Sequence, residues 1–389
     1  MRIAIIGGGV AGLATAALLA RSGHEVILFE REGAVPGAGG GLLLQPCGLS
    51  VLQKLGLLDE ARKWGSPIAR LVRQHVSGEV TANLCYEEFR PGSQALGILR
   101  GALTSLLVQS AKASGVAIVS GCAVTAIREE SSSVALGSVQ ATDRGNFDVA
   151  VVADGMRSTL RDCLNLRNEV SNCKWGALSV TVPRPAAIAG DIVRQRFRRG
   201  SDVIGLLPSG RDEHGRQCLA WFQNMAVAQF DAPDRMSFTS WRDQALSVSP
   251  ESHNLLMPLP GFEAMHFSRY ATVSMPRWST GRCVVIGDAA HALDPLLGMG
   301  ANMALVDAVT LSEELSVASE HELASALQAF QSRRNSQITR YQRAGRVMSS
   351  LLHADHPLSG VWPDMAFRAA LWAPAGRRRV MAAICGEWA

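Results

Sequence analysis

The order of hydrophobic and polar positions predicts strands and helices in alternation. The β-branched run Arg2 to Ile6 predicts a buried strand, Leu13 to Ala20 a helix, and His24 to Phe29 a second strand. Later apolar segments predict two helices and two buried strands, at Gly101 to Ala113, Ala301 to Leu315, Asn146 to Ala153 and Arg282 to Ile286. Strands that alternate with helices indicate an α/β fold built on a parallel sheet.

The stretch from about residue 171 to residue 275 has a different pattern. It contains short β-rich runs separated by turn-forming residues, at Ala177 to Val182, Asp191 to Phe197, Val203 to Leu207, Gln217 to Gln223 and Met265 to Ser274. Together with Arg70 to Val76, these runs predict an antiparallel sheet. It would form a second domain that interrupts the first one in sequence.

Composition narrows the class of protein. Of the 389 residues, 47% are apolar and 19% are charged, which excludes a disordered or fibrous chain. The net charge is +4 and no run of like charge is longer than Arg377 to Arg379, so a nucleic-acid-binding surface is not indicated. The 37 glycines make up a larger fraction of the chain than the usual value of about 7%, and many lie in clusters. Such clusters predict backbone that closely approaches a neighbour or a ligand.

Two features bear on the cellular compartment. Ile3 to Ala20 carry no charge and have the length of a signal peptide or short membrane helix, but their glycines favour an internal strand, turn and helix. The eight cysteines are scattered, with no C-x-x-C pair and no Cys/His spacing typical of zinc sites. We therefore expect reduced thiols, no metal site and a cytoplasmic protein.

The first glycine-rich motif follows the first predicted strand. Residues 7–12 match G-x-G-x-x-G: Gly7 permits the turn, Gly9 lets the backbone approach a pyrophosphate, and Gly12 lets helix and strand pack. The N–H groups of the helix start would face the anion. Glu30 ends the second strand about 20 residues on, where a carboxylate accepts hydrogen bonds from ribose hydroxyls. This order predicts a dinucleotide site.

Two further motifs also follow predicted strands. Residues 154–161 read D-G-x-x-S-x-x-R, and residues 287–302 read G-D-A-A-H-x-x-x-P-x-x-G-x-G-x-N. By itself, an Asp-Gly pair after a strand indicates only a turn. The third motif delivers a helix N terminus near Gly300 and Ala301, whose dipole favours negative charge. It therefore predicts a second anion-binding position.

These three motifs, in this order and spacing, resemble the fingerprints of the class A flavoprotein monooxygenases, the p-hydroxybenzoate hydroxylase-like FAD-dependent aromatic hydroxylases. The similarity extends from residue 1 to about residue 345. It implies a Rossmann-like FAD-binding domain of the glutathione reductase type, an inserted antiparallel β-sheet substrate domain and C-terminal helices. The implied ranges are 1–72, 97–170 and 276–345 for the FAD-binding domain, 73–96 and 171–275 for the substrate domain, and 346–389 for the C-terminal tail.

The resemblance also implies which residues bind non-covalent FAD. Those implied at the pyrophosphate and the adenosine ribose are Gly7, Gly9, Gly12, Glu30 and Arg31. Those implied elsewhere along FAD are Arg100, Asp154, Asp288, Pro295, Gly298, Gly300, Ala301 and Asn302. Asp288 would bind the ribityl chain, Pro295 would lie against the isoalloxazine, and Asp154 would serve both FAD and the transient nicotinamide. The helix N terminus would face N1 and O2 of the ring, where reduced flavin carries negative charge.

The implied activity is hydroxylation of an electron-rich aromatic or heteroaromatic ring. NADPH or NADH would reduce FAD, O₂ would add at flavin C4a, and the hydroperoxide would give its distal oxygen to a small aromatic substrate. The protein would be a monomer or a homodimer. Two alternatives stay open: a flavin reductase of the same fold acting on a polyprenyl or quinone-like substrate, and a catalytically silent FAD-binding protein. A halogenase is disfavoured because the W-x-W-x-I-P signature is absent.

No catalytic base stands out in the sequence. Asp294 stands where many family members have a second proline, and it is a candidate pocket base or else a solvated loop residue. His291 lies in the third motif, where the alternative to proton transfer is a structural role. Leu43 and Gln45 follow the glycine-rich segment Gly33 to Gly41 and are candidates for the pocket wall, the alternative being a plain flexible crossover.

Three more features have two interpretations each. Trp221 is a candidate for the pocket wall or for the core. Arg194, Arg196 and Arg198 alternate along a predicted strand and share one face, which would be solvated or would receive the 2′-phosphate of NADPH. The C-terminal stretch Pro363 to Ala389 combines apolar helix-like pieces with three arginines. Packing over the substrate domain is favoured there over contact with a membrane.

Overall fold

The computed structural model describes residues 1–33, 40–138, 145–198, 202–232, 236–352, 369 and 371–387. Its strands are β1 (Arg2–Ile6), β2 (Glu25–Glu30), β3 (Gly41–Leu44), β4 (Ser66–Ile68), β5 (Arg70–His75), β6 (Val80–Cys85), β7 (Ala95–Leu99), β8 (Ala117–Ser120), β9 (Val124–Glu129), β10 (Val134–Ser138), β11 (Val149–Val152), β12 (Glu169–Pro183), β13 (Ile192–Phe197), β14 (Val203–Arg211), β15 (Gln217–Ala226), β16 (His266–Ser274) and β17 (Cys283–Val285). Its helices are α1 (Val10–Arg21), α2 (Pro46–Lys54), α3 (Leu58–Trp64), α4 (Arg100–Ala113), α5 (Leu160–Cys163), α6 (Val227–Asp231), α7 (Phe238–Val248), α8 (His253–Leu256), α9 (Asp288–His291), α10 (Gly300–Val317), α11 (Leu323–Leu352) and α12 (Pro374–Cys385).

The first domain is built on a parallel sheet with the strand order β17-β11-β1-β2-β8. Every neighbouring pair in it is parallel. Its central strands are continuous apolar runs because helices cover both faces of such a sheet, and α1 packs between α10 and α4. The predicted α/β fold is therefore confirmed, and residues 3–20 form the predicted strand, turn and helix.

The second domain is a seven-stranded sheet in the order β16-β12-β15-β14-β13-β5-β6. Its pairs are antiparallel, as predicted, except that β13 runs parallel to β5. The inferred boundary after residue 72 falls inside β5, and the boundary after residue 345 falls inside α11. The domain ranges stay predictions, because the resemblance locates motifs while hydrogen bonding decides where a strand or helix ends.

The two faces of the seven-stranded sheet have different partners. Side chains of the outer face, including Leu206 and Trp221, pack with Trp241 of α7. Leu207 and Ala220 on the inner face pack with Leu43 of β3 and with α12. The small sheet β3-β7-β4 lies directly on this inner face, since a Cβ on Gly97 would come within 1.8 Å of the Pro208 carbonyl oxygen. The inner face therefore faces the first domain.

The C-terminal helix α12 packs over both domains. Met381 and Cys385 are buried against Tyr86, which follows β6. The Tyr341 hydroxyl of α11 donates to the Ala383 carbonyl at 2.5 Å. These contacts agree with the favoured interpretation of the tail, of which residues 363–368, 370 and 388–389 lie outside the described ranges. Across the described ranges, no helix is long and apolar enough to cross a membrane.

Candidate active site

The glycines of the first motif divide into packed and open positions. Gly7 has a positive φ of 110°, and a Cβ there would lie 2.4 Å from the Ala153 carbonyl oxygen. A Cβ on Gly12 would lie 2.0 Å from the Gly7 oxygen. Gly9, by contrast, caps α1, and no atom of the described residues lies within 4 Å of its Cβ position. The start of α1 carries no capping side chain and no acidic residue, so its N–H groups suit an anion.

Glu30 is tied to the glycine loop. Its Oε2 accepts the Gly8 N–H at 2.6 Å and its Oε1 accepts the Glu32 N–H at 3.0 Å, with 7% of the residue exposed. The carboxylate therefore fixes the loop as well as lying where a ribose would bind. Arg31 points outward, with its side chain 72% exposed beside Glu32. The irregular segment predicted over 33–41 lies mostly outside the described residues.

The second motif brings Asp154 next to the first, because the tight approach of Gly7 is to Ala153 and Asp154. Asp154 Oδ1 is buried and has no hydrogen-bond partner within the described residues. Burial raises the pKa of this carboxyl group. Arg161, at the end of the motif, donates from Nη1 to the Ala289 carbonyl at 2.7 Å. The second motif is thus connected to α9 of the third.

The third motif places Asp288 and the start of α10 side by side. Asp288 is accessible to solvent. Desolvation by the surrounding protein nevertheless raises the pKa of its carboxyl group, whereas the charges of His291 and Arg100 act to lower it. A side chain that solvent can reach but that protein atoms largely surround is expected in a deep cleft. A Cβ on Gly300 would lie 3.6 Å from Asp288 Oδ1, so the α10 N terminus faces the same cleft. Arg100 begins α4 and is exposed.

His291 belongs to a buried charge network. Its Nε2 lies 2.6 Å from Asp307 Oδ2, which also accepts the Gly287 N–H at 2.9 Å. Asp307 Oδ1 accepts a hydrogen bond from Arg334 Nε at 2.7 Å, and the three side chains are at most 3% exposed. This arrangement supports the structural alternative for His291, and a part in proton transfer stays a prediction. The sequence signal for Asp307 was a lone acid inside an apolar helix, which needs a buried partner.

Asp294 is buried and hydrogen-bonded rather than solvated, and its role as a base stays a prediction. It is 7% exposed, its Oδ1 accepts the Leu296 N–H at 3.0 Å, and Ser349 of α11 supplies a side-chain hydrogen bond. Burial raises its pKa in spite of these bonds. The carboxylate caps the turn Pro295–Leu297, after which Gly298 takes a positive φ of 61°. Asp294 therefore shapes the loop that leads to α10.

Asn302 connects the predicted pocket-wall residues to α10. Its Oδ1 accepts the Gln45 N–H at 2.8 Å, and its Nδ2 donates to the Leu43 carbonyl at 3.0 Å. Leu43 and Gln45 are thus brought to the cleft. Trp221 does not lie at the cleft. Its ring centroid is 5.7 Å from that of Trp241 on the outer face, and its Nε1 donates to Ser252 Oγ. Strand alternation gives the reason, since the neighbouring Ala220 points inward.

The sheet register identifies further side chains on the inner face. Phe222, Asn224, Ser268 and Tyr270 alternate with outward residues of β15 and β16. Burial raises the pKa of Tyr270, whereas a side-chain hydrogen bond with Ser268 and the charge of Arg100 act to lower it. Tyr270 therefore lies near the third-motif cleft as a neutral phenol. No pattern in the sequence indicates which face of the sheet points inward.

FAD fits this cleft on two structural grounds. A buried carboxylate oxygen of Asp154 needs a hydrogen-bond donor, and the open position at Gly9 lies at the start of α1, where a phosphate group would sit. The three motifs converge at the carboxyl ends of β1, β11 and β17, which is where ligands bind in open parallel sheets. The fold and site thus define an FAD-binding protein of the aromatic-hydroxylase class.

Comparison with known proteins gives the family. The family described as FAD binding domain matches residues 1–344, and the chain belongs to it. The 3-amino-4-hydroxybenzoate 2-monooxygenase PtmB3 of Streptomyces platensis is 28% identical over 374 residues, covering 90% of this chain and 88% of its own. The 2-heptyl-3-hydroxy-4(1H)-quinolone synthase of Mycobacteroides abscessus is 27% identical over 342 residues, covering 82% of each chain.

A solved structure shows the same fold. HpxO of Klebsiella pneumoniae, solved with FAD and uric acid, matches with a TM-score of 0.83 at 20% identity, covering all of this chain and 96% of its own. The resemblance to FAD-dependent aromatic monooxygenases and the predicted fold class are therefore confirmed.

Proposed function

We propose that the protein is an FAD-dependent monooxygenase that uses NADPH or NADH and O₂ to hydroxylate an electron-rich aromatic or heteroaromatic ring. The observation that carries this proposal is the convergence of Gly9, Asp154, Asp288 and the α10 N terminus on one cleft. The names of the relatives, which refer to an aminohydroxybenzoate and a quinolone, support an aromatic substrate.

Each half of the cofactor would be held by different parts of the chain. Gly7, Gly9 and Gly12 would form the pyrophosphate cradle and Glu30 would bind the ribose, with Asp288 on the ribityl chain. The α10 N terminus at Gly300 to Asn302 would stabilise negative charge on the ring. When bound, FAD supplies electron transfer and oxygen activation. The chain contributes orientation and a dry pocket.

The substrate would lie between the flavin site and the inner face of the seven-stranded sheet. Leu43 and Phe222 would supply apolar walls, and Tyr270 a neutral hydrogen-bonding group. Burial also raises the pKa of Cys173 to about 11, so this thiol stays protonated at neutral pH. Because Tyr270 and Cys173 would both stay protonated, neither would supply an ionised base. Hydroxylation without such a base suits a substrate that is already electron-rich.

Only part of the predicted arginine face would be available to bind the 2′-phosphate of NADPH. Arg196 pairs with Glu251 at 3.0 Å, and Arg198 donates to Ser247 Oγ at 2.6 Å. Arg194 makes no ion pair within the described part of the chain and lines a cavity of about 160 Å³. Because Arg194 lies beside Leu206 on the outer face, that cavity opens away from the flavin cleft. A phosphate role therefore rests on Arg194 alone.

A cofactor titration and a substrate screen test the proposal. Purified protein should bind FAD, and Asp288→Ala should weaken binding at least about tenfold, because hydrogen bonds to a charged group contribute about 1.5 to 3 kcal/mol. The matched control is Glu130→Ala, which removes an exposed acid directly after β9 and should leave FAD binding normal. Absence of flavin binding, or equal losses in both variants, would contradict the assigned site.

The screen measures NAD(P)H oxidation with phenols, anilines and quinolones, followed by mass analysis of the products. A hydroxylase gives a product heavier by one oxygen atom. FAD binding without NAD(P)H oxidation for any compound would favour a silent flavoprotein, and a reduced isoprenoid or quinone product would favour the reductase.

A further inference from the structure

Tyr86 and Gln45 form a buried hydrogen-bonded pair beside the cleft. Tyr86 is fully buried against α12, and Gln45, directly after β3, is 3% exposed. The Tyr86 hydroxyl donates to Gln45 Oε1 at 2.7 Å. The backbone N–H of Gln45 donates to Asn302 in the first turn of α10. The pair therefore lies between the C-terminal helix and the helix N terminus that faces the cleft.

The phenol determines which way the Gln45 amide points. Burial raises the pKa of Tyr86, so the hydroxyl keeps its proton at neutral pH and must donate it to an acceptor. Its acceptor among the described residues is Gln45 Oε1. A glutamine amide has one acceptor oxygen and one NH₂ group. With the oxygen turned to Tyr86, the NH₂ group is turned away from it.

The NH₂ group of Gln45 is not used by the described part of the protein. Its Nε2 donates to no described residue, and this nitrogen is not fully enclosed by protein atoms. Buried polar groups almost always have a hydrogen-bond partner, so an unused donor on a residue that is only 3% exposed indicates a ligand. The flanking contacts of Leu43 and Gln45 with Asn302 place this donor beside the α10 N terminus.

We propose that Gln45 Nε2 donates a hydrogen bond to a carbonyl or negatively charged oxygen of a ligand in the cleft, and that Tyr86 is the positioning residue that orients the amide. The oxygen belongs either to the pyrimidine edge of FAD or to the aromatic substrate. This inference rests on the proposed FAD site.

The experiment compares Tyr86→Phe, Gln45→Leu, the double variant and Tyr341→Phe. Tyr341 is the matched control, because it is also a buried tyrosine against α12 but donates to the Ala383 backbone. We measure the unfolding midpoint of each apoprotein, the Kd of FAD by flavin fluorescence, and KM for the most active compound of the screen. Both tyrosine variants should lose stability, since Tyr86→Phe removes the buried bond to Gln45 and Tyr341→Phe removes the partly buried bond to Ala383.

Loss of the Gln45 contact should raise one binding constant at least about fivefold, corresponding to about 1 kcal/mol. A higher Kd for FAD in Tyr86→Phe and Gln45→Leu assigns the acceptor to the flavin. A higher KM with unchanged FAD affinity assigns it to the substrate. In the double variant, Tyr86→Phe should add nothing to Gln45→Leu, because Tyr86 acts through Gln45.

Two results would overturn the inference. One is a change of both constants by less than twofold relative to Tyr341→Phe. The other is an additive effect in the double variant, which would show that Tyr86 acts independently of Gln45. Failure of the wild-type protein to bind FAD at all is a different result, since it refutes the proposed function.

Discussion

Removing the Asp307 carboxylate should destabilise the protein far more than removing an exposed carboxylate. Asp307 accepts three hydrogen bonds, from Gly287, His291 and Arg334. Asp307→Ala leaves a guanidinium and an imidazole buried without their acceptor, together with one backbone N–H. Truncating one partner of a buried ion pair costs about 3 to 5 kcal/mol. A typical domain has only about 5 to 15 kcal/mol of stability.

Denaturant unfolding of the apoprotein measures this loss, and the control is Asp231→Ala. Asp231 also makes two hydrogen bonds to an arginine, Arg269, but both side chains are more than 40% exposed. Its removal should leave the unfolding midpoint almost unchanged, because solvent replaces the lost contacts. If Asp307→Ala does not fold, Asp307→Asn keeps the shape and one acceptor and should show a smaller loss. A loss from Asp307→Ala below about 1 kcal/mol would refute the reasoning.

The same carboxylate predicts an acid dependence of stability. Burial alone would raise the pKa of Asp307, but the charges and hydrogen bonds of His291 and Arg334 outweigh burial and lower it to about 2 from the ordinary 3.8. The folded state thus binds this proton less readily than the unfolded state. The stabilisation is complete above pH 3.8 and is lost as the pH falls towards 2. Asp307→Asn should lack this part of the acid dependence, and equal profiles would contradict it.

Three further predictions concern catalysis. Leu43→Trp should leave substrate-stimulated flavin reduction largely intact and shift oxygen from product to H₂O₂, because a displaced ring misses the oxygen donor; unchanged coupling would argue against Leu43 as a wall. Arg194→Ala should raise KM for NADPH more than KM for NADH, whereas an equal effect would assign this arginine to solvent. Because burial keeps Tyr270 and Cys173 protonated, the pH profile of kcat/KM should follow the pKa of a phenolic substrate; one inflection common to phenols of different pKa would indicate an enzymatic base.

The parallel sheet and the three motifs could be predicted because each has a local signal. A strand followed by glycines and a helix is a contiguous pattern, and Gly7, Gly9 and Gly12 lie as the pattern requires. The pocket wall has no such signal. Trp221 and Phe222 are adjacent aromatic residues in one strand, and only the register of β15 decides that Phe222 points inward. The sequence alone therefore could not choose between them.

The partners of buried polar groups could not be predicted from neighbouring residues in the sequence either. Asp307 and Arg334 are 27 residues apart, and Gln45 and Asn302 are 257 apart. A titratable residue in an apolar segment signals that a partner exists, but it does not say where that partner is. Asp294 is an example, because its hydrogen bond to Ser349 of α11 has no signal in the residues around it.

Each motif combines a position open to the ligand with one that is fastened to the protein. Among the residues that the structure describes, Gly9 is open while Gly12 packs on Gly7, and Asp154 Oδ1 lacks a partner while Arg161 is bonded to α9. In the third motif, Asp288 is accessible while His291 is held by Asp307. A ligand-binding carboxylate stays unpaired only where neighbouring groups hold its backbone in place, since an unsatisfied buried group otherwise destabilises the loop. This division predicts that residues a few positions apart in one motif affect different properties. Loss of an open position should lower affinity for FAD, and loss of a fastened one should lower stability first.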